Sequence, residues 1–403
     1  MLPGSPFSPA AFSISILNHR ISNLDLLRGL AALLVVAGHL RAFLFVDFGQ
    51  VAAPGILDRL FYLVTGLGHQ AVVVFFVLSG YLVGGSVLTA YQSGRWSWKN
   101  YALRRLTRLW VVLLPALLLT LALDSLGRHW GHAGYEGALN SLYSSGPTPD
   151  APADLRITTF LGNFFFLQTI TVNCLGTNGP LWSLANEFWY YLLFPLICAA
   201  LSIVRGPWSV VRGLSSALCA IIFAGLVWWL PAKIVCSGLI WLLGVGAFWA
   251  GRFEPVRRIC RHPAWLIGVG AVSLGSLAAS KTSSIFGTDW SIGIAFALWV
   301  VGLASINSQL STINWIASRL SDMSYTLYLV HFPVLAFVFF CFFDGRQFQP
   351  ASTAYLTFGA LLIVVVTFSA GIWWCFERNT DRLRKRIEPM FIGGGASVLA
   401  SRP

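Results

Sequence analysis

Ten long apolar runs, separated by short polar or Gly/Pro-rich segments, set the rhythm of the chain, at about 27–46, 69–90, 107–125, 181–203, 212–230, 234–251, 263–280, 289–306, 323–343 and 354–376. Helices of roughly 17 to 25 apolar residues, rising ~1.5 Å per residue, cross roughly 30 Å of hydrocarbon. The pattern therefore predicts an all-α integral membrane protein, a bundle of about ten transmembrane helices. Between the third and fourth runs lies a loop of about 55 residues. Its first half, GHAGYEGALNSLYSSGPTPDAPADL, has turn-forming composition, and its second half, TTFLGNFFFLQTI, is apolar but too short to cross. That second half predicts an interfacial or re-entrant helix over one mouth of the bundle.

Composition strengthens this picture. The chain is 56% hydrophobic and 10% charged, against roughly 25% charged residues in a soluble domain. The formal charge of +12 does not point to nucleic acid, which needs a basic face on a folded soluble module. In a membrane chain, Lys and Arg gather in loops that stay cytoplasmic. With an even number of spans and both termini inside, 20 of the 27 basic residues fall on the inner side, and Arg41, Arg59, Arg128, Arg156, Lys233, Lys281 and Arg346 fall outside. This asymmetry predicts that both termini are cytoplasmic, with the chain in contact with lipid along its length. The first apolar run lacks an A-x-A cleavage site and is expected to be a mature span. One transmembrane domain is expected over 20–388, followed by a disordered tail over 389–403. The seven cysteines are scattered with no CxxC spacing, so neither a disulfide framework nor a metal site is expected.

Against this background a few polar residues stand out. The first run, DLLRGLAALLVVAGHL, carries Arg28 at its start and His39 eleven positions later. Eleven residues make about three helical turns, so both lie on one face, about 16 Å apart along the axis. His39 then sits halfway across the bilayer or slightly beyond, where an ionisable residue needs a partner or a function. The third run opens with RWSWKNYALRRLTRLW, in which Arg105 and Arg108 share a helix face, with Lys99 and Arg104 nearby. The cluster reads either as positive-inside anchoring or as a phosphate site, since Arg presents a planar fork of donors. The fourth run, GPLWSLANEFWYYLLFPL, buries Glu187, with Asn186, Trp182 and Ser183 as neighbours. Its aromatics read first as an interfacial belt, with sugar stacking as the alternative. In the ninth, SDMSYTLYLVHFPVL, His331 lies mid-span with Tyr325, Tyr328 and Phe332 at helical spacing, which favours a packed, hydrogen-bonded histidine.

Taken in order, these segments resemble the acyltransferase 3 family of integral membrane acyltransferases. The resemblance rests on Arg28-x10-His39, FFVLSGYL (Phe75 to Leu82), Arg105-x-x-Arg108, WSLANEFWYYLLFPL, SYTLYLVHFPV and the pair Glu377-Arg378, and it covers about 20–388. One departure is visible: many members carry an acidic residue just before FFVLSG, where this chain has Val73. The resemblance implies transfer of an acyl group, usually acetyl from cytoplasmic acetyl-CoA, to a hydroxyl of a saccharide outside the membrane. Acyl-CoA would be a substrate and no resident cofactor is expected. Arg28, Arg105 and Arg108 would meet its phosphates, and the pantetheine arm would carry the thioester inward toward His39. His39 would act as general base, or as the carrier of a covalent acyl group. Glu187 would orient His39 or the acceptor, with Ser79, Tyr81, Trp182, Ser183 and His331 as supporting residues. A transporter or lipid-linked-saccharide flippase is the rival reading, but the halves of the chain show no related pair of broken spans. A non-catalytic membrane subunit is a third, and would not require His39.

Overall fold

In a computed structural model of the protein, residues 22–131, 133–140, 146–201, 210–282, 284–306 and 311–392 are described. They are all-helical, with no strand among them. Helix α1 (Ser22–Leu44) is followed by the short α2 (Ile56–Thr65), then by α3 (Gly68–Ser79), a π-helical turn (Gly80–Gly84) and α4 (Gly85–Gln92), which run as one apolar rod. The 32-residue α5 (Trp98–His129) begins at Ser97, whose hydroxyl accepts from the Asn100 amide at 3.4 Å as an N-cap. After the long loop and its α6 (Ile157–Phe164) come α7 (Leu181–Leu201), α8 (Val210–Trp229), α9 (Ala232–Ala250), α10 (Glu254–Cys260), α11 (Pro263–Ala279), α12 (Asp289–Ala304), α13 (Ser311–Phe343), α14 (Ser352–Cys375) and α15 (Thr380–Ile392).

Every predicted apolar run contains a helix, although the runs are not equally suited to crossing a membrane. Among the described residues seven helices are long and apolar enough by themselves, and α10 with α11 forms a further candidate, bent by 72°. The apolar part of α8, Gly213–Trp229, and α12 are shorter. The segment expected to be re-entrant is also shorter than expected. Only eight residues form α6, and the chain then turns through positive φ at Phe166 and Thr169. With Ile157, Leu161 and Phe165 exposed on one side, α6 is amphipathic. At ~1.5 Å per residue it spans only about 12 Å. At the far end, α15 continues through Pro389 to Ile392, beyond the predicted start of the tail; the rest of that tail, 393–403, lies outside the described residues.

Helix α13 packs along α1, with α5 and α14 on its flanks, and this group supports one core containing Phe43, Phe332, Phe339 and Phe340. A second core joins α3, α7, α9 and α12. Where α9 crosses α3 and the π-turn, glycines face backbone. A Cβ at Gly244 would lie 2.0 Å from the Val77 carbonyl oxygen, and one at Gly80 would lie 1.9 Å from that of Trp241. Small residues at such crossings let helices approach closely in the absence of a hydrophobic driving force. On the outward side Ile221, Trp228, Ile267, Leu356 and Ile363 are exposed, as surfaces facing lipid rather than water would be.

The long loop is pinned to the bundle by polar groups. Fully buried Asp124 on α5 accepts from the Thr177 amide at 2.6 Å and from its hydroxyl at 2.9 Å. Asn178 donates to Thr120 at 3.2 Å and to the Leu329 carbonyl at 2.9 Å. These bonds satisfy backbone and side-chain groups that would otherwise be costly to bury, and they fix where α7 begins.

Candidate active site

The helix ends that carry the conspicuous arginines converge on a cavity of about 870 Å³. Arg28 enters it from α1, Arg104, Arg105 and Arg108 from α5, Arg319 from α13, and Arg378 and Arg384 from the segment after α14. Arg105 and Arg108 share a face as their spacing predicts. Arg28 donates to the Ser321 hydroxyl at 3.3 Å, which in turn donates to Asp25 at 2.8 Å. Arg105 donates to Ser86 at 3.2 Å, and its guanidinium carbon lies 5.6 Å from the ring centres of both Tyr101 and Tyr191. Its Nε is buried with no hydrogen-bond partner among the described residues. Among the described residues, none of Arg28, Arg105 and Arg108 is in an ion pair. Seven arginines against five carboxylates, Asp25, Glu187, Asp322, Glu377 and Asp381, line the cleft; the excess of guanidinium groups suits an anion, and their forks suit phosphate.

Glu187 lies in the same cavity. Its Oε1 accepts from Ser79 at 2.7 Å and from the Tyr191 hydroxyl, and Ser79 also accepts from the Trp241 indole at 3.1 Å. No hydrogen bond joins Glu187 to His39 among the described residues. The π-turn beginning one residue after Ser79 is a type of irregularity often found at functional sites. Opposite it, Glu377 accepts from the Thr326 amide at 3.2 Å and hydroxyl at 2.5 Å, and faces the same cleft.

Val72, Phe75, Ser183 and Tyr328 also line the cavity. Tyr328 is clamped there by Ser183, at 2.7 Å, and by the Pro180 carbonyl, at 3.1 Å. His39 is not among the lining residues; it pairs with His331, whose ring centre lies 5.9 Å from that of Tyr328. The ring nitrogens Nδ1 of His39 and Nε2 of His331 are 2.9 Å apart. His331, on α13, is fully buried, and its Nδ1 is bonded to the carbonyls of Leu327, at 3.0 Å, and Tyr328, at 2.8 Å. Phe332 sets its ring edge-to-face with His39 at 5.0 Å and 87°. His331 is thus hydrogen-bonded as its sequence context predicts, and its partner is the other intramembrane histidine.

Two expected supporting residues lie elsewhere. Tyr81 is buried against Phe248, away from the cavity, because its π-turn position faces α9. Trp182, at the start of α7, lies outside the cavity and meets Phe76 at 6.2 Å and the Lys233 ammonium at 5.7 Å, with the His69 ring 6.5 Å away. Tyr191, Tyr101, Ser86, Ser321 and Glu377 line or brace the site without having stood out as site residues in the sequence. Of these, Glu377 had a signal, a carboxylate directly after an apolar run and beside Arg378. No group of His, Cys, Asp and Glu among the described residues could hold a metal ion.

The known proteins similar to this chain bear on what such a cleft serves. A protein of Haemophilus influenzae, described only as uncharacterized, is 33% identical over 128 residues, a stretch covering 31% of this chain and 46% of that protein. No solved structure matches. The family model for the acyltransferase domain matches residues 21–376, a span that holds Arg28, Arg105 and Arg108 of the cleft and both histidines, and the chain therefore belongs to the acyltransferase 3 family of multi-pass membrane acyltransferases.

Proposed function

We propose that the protein is an O-acetyltransferase of the bacterial inner membrane. It would cross the membrane ten times with both termini cytoplasmic, and move acetyl from cytoplasmic acetyl-CoA to a hydroxyl of an envelope or exported saccharide. The observation that carries this reading is the cleft of about 870 Å³ lined by more arginines than carboxylates, in which Arg28, Arg105 and Arg108 make no ion pair among the described residues. Its basic mouth suits the phosphates of coenzyme A, and its apolar inner end, at Val72 and Phe75, suits the acyl-bearing arm. The acceptor would approach from the other end of α7, where Trp182, His69 and Lys233 offer aromatic and charged contacts.

In the reaction the imidazole of His39 removes the proton from the acceptor hydroxyl as its oxygen attacks the thioester carbonyl carbon. The tetrahedral intermediate then expels the thiolate of coenzyme A, which takes the proton from the imidazolium, leaving an ester and free coenzyme A. General-base assistance of this kind contributes roughly a hundredfold to ten-thousandfold. Transport is not favoured, since the family is one of acyltransferases. The test is to incubate purified protein with acetyl-CoA labelled in the acetyl group and a panel of envelope glycans, and to follow label by mass spectrometry. Label entering a glycan supports the reading, and none entering any glycan while acyl-CoA stays bound and intact counts against it.

A further inference from the structure

The paired histidines carry more than proximity, because the hydrogen bonds on their outer side dictate which nitrogen holds which proton. Two carbonyl oxygens, of Leu327 and Tyr328, meet His331 Nδ1 at 3.0 and 2.8 Å. Carbonyls only accept, so that nitrogen bears hydrogen. His331 is 0% exposed, and among the described residues no carboxylate is bonded to it; a second proton would leave a buried charge without a counter-ion. A neutral ring with Nδ1–H has its lone pair on Nε2, which therefore accepts across the 2.9 Å gap to His39 Nδ1. That gap forces His39 Nδ1 to be the donor and leaves the lone pair of His39 on Nε2. The two rings are inclined by only 14° with centroids 5.1 Å apart, the separation that two ring radii and one in-plane hydrogen bond span.

We propose that His331 is a positioning residue that fixes His39 in the Nδ1–H tautomer, so that Nε2 of His39 is the atom that takes the acceptor's proton. The role rests on the general-base reading of His39 given above. It is the part a carboxylate plays behind the histidine of a hydrolytic triad, here supplied by a neutral imidazole that two backbone carbonyls hold in one tautomer. As a neutral acceptor, His331 stabilises the imidazolium of His39 that forms during transfer, since a charged N–H is the stronger donor. The charged or titratable groups acting on His39 are His331 and Arg41, the latter two residues along the same helix and 3.8 Å from Asp47. Glu187, engaged with Ser79 and Tyr191, takes no part in this bond.

The experiment uses the full chain in nanodiscs, labelled with ¹⁵N-histidine; with seven histidines in the sequence, single replacements assign each ring. The expected spectrum shows a pyrrole-type Nδ1 and a pyridine-type Nε2 for His39, with a scalar coupling across the hydrogen bond to His331 Nε2. A pyrrole-type Nε2 on His39, or no coupling between the pair, overturns the proposal. A second arm follows carbethoxylation of His39 by diethyl pyrocarbonate against pH, read by peptide mass spectrometry. His331→Leu should shift the acid limb of that profile to lower pH, because the imidazolium loses its acceptor, and His331→Gln, which keeps an acceptor oxygen, should restore it toward wild type. An unshifted profile in folded His331→Leu protein also overturns the proposal, and the wild-type spectrum decides the matter if that variant does not fold. Neither arm depends on catalysis. A dispensable His39 in the transfer assay would defeat the base reading while leaving the tautomer as measured, and a reversed tautomer in a protein that requires His39 would defeat this proposal alone.

Discussion

At the scale of single residues, the arginines are the most informative. A cationic side chain in a cleft costs desolvation energy that an ion pair would offset, yet Arg105 has two tyrosine rings, one serine and a buried Nε without a partner. Replacing Arg108 with Ala should weaken acetyl-CoA binding by about 1 to 3 kcal/mol, the scale of a hydrogen bond to a charged group, as measured by calorimetry on purified protein. Arg105→Lys should also weaken it, since Lys retains charge but neither the fork nor the flat surface that stacks on Tyr101 and Tyr191. Unchanged affinity in a folded double variant would make both residues membrane anchors. The shared face of Arg105 and Arg108 was legible in the sequence because helical spacing alone sets it. The partners of Glu187 were not, for Ser79 lies 108 positions away, and no periodicity reports which helices meet.

At the scale of elements, close helix crossings shape the cleft's floor. Gly244 of α9 rests on the Val77 carbonyl beside the π-turn that presents Ser79 and Glu187's wall. Gly244→Ala should destabilise the protein by about 1 to 3 kcal/mol, as overpacking does. It should also impair donor binding beyond the loss of folded protein, because separating α9 from α3 shifts Ser79; thermal unfolding and binding on the same sample check both. Variants with wild-type stability would show that the crossing tolerates a Cβ. Hydrophobic period and length place a helix in each of the ten apolar runs, since those features decide what a segment does in lipid. The length of α6 escaped the same reasoning. Phe166 and Thr169 take positive φ, and nothing in TTFLGNFFFLQTI marks a turn at those positions.

For the whole molecule, orientation ties chemistry to compartment. The cleft's arginines come from α1, α5, α13 and the segment after α14, and the charge asymmetry, which assigns 20 of 27 basic residues to the inner side, predicts that this cleft opens to the cytoplasm. Reporter fusions should place the 95–97 turn in the cytoplasm and the 146–156 loop outside. An external signal from the turn would put the cleft on the wrong side for a cytoplasmic donor.

Donor binding and proton removal are proposed to reside in different places, the first in the arginine cleft and the second at His39, which does not line that cleft. Both can be read from one preparation of His39→Ala, by calorimetry with acetyl-CoA and by acetyl transfer to the acceptor glycan per folded molecule. The expected result is a folded protein with donor affinity near wild type and transfer reduced about a hundredfold or more, the usual cost of losing a general base. Near wild-type transfer by a folded His39→Ala protein would contradict the account, however well the cleft binds its donor.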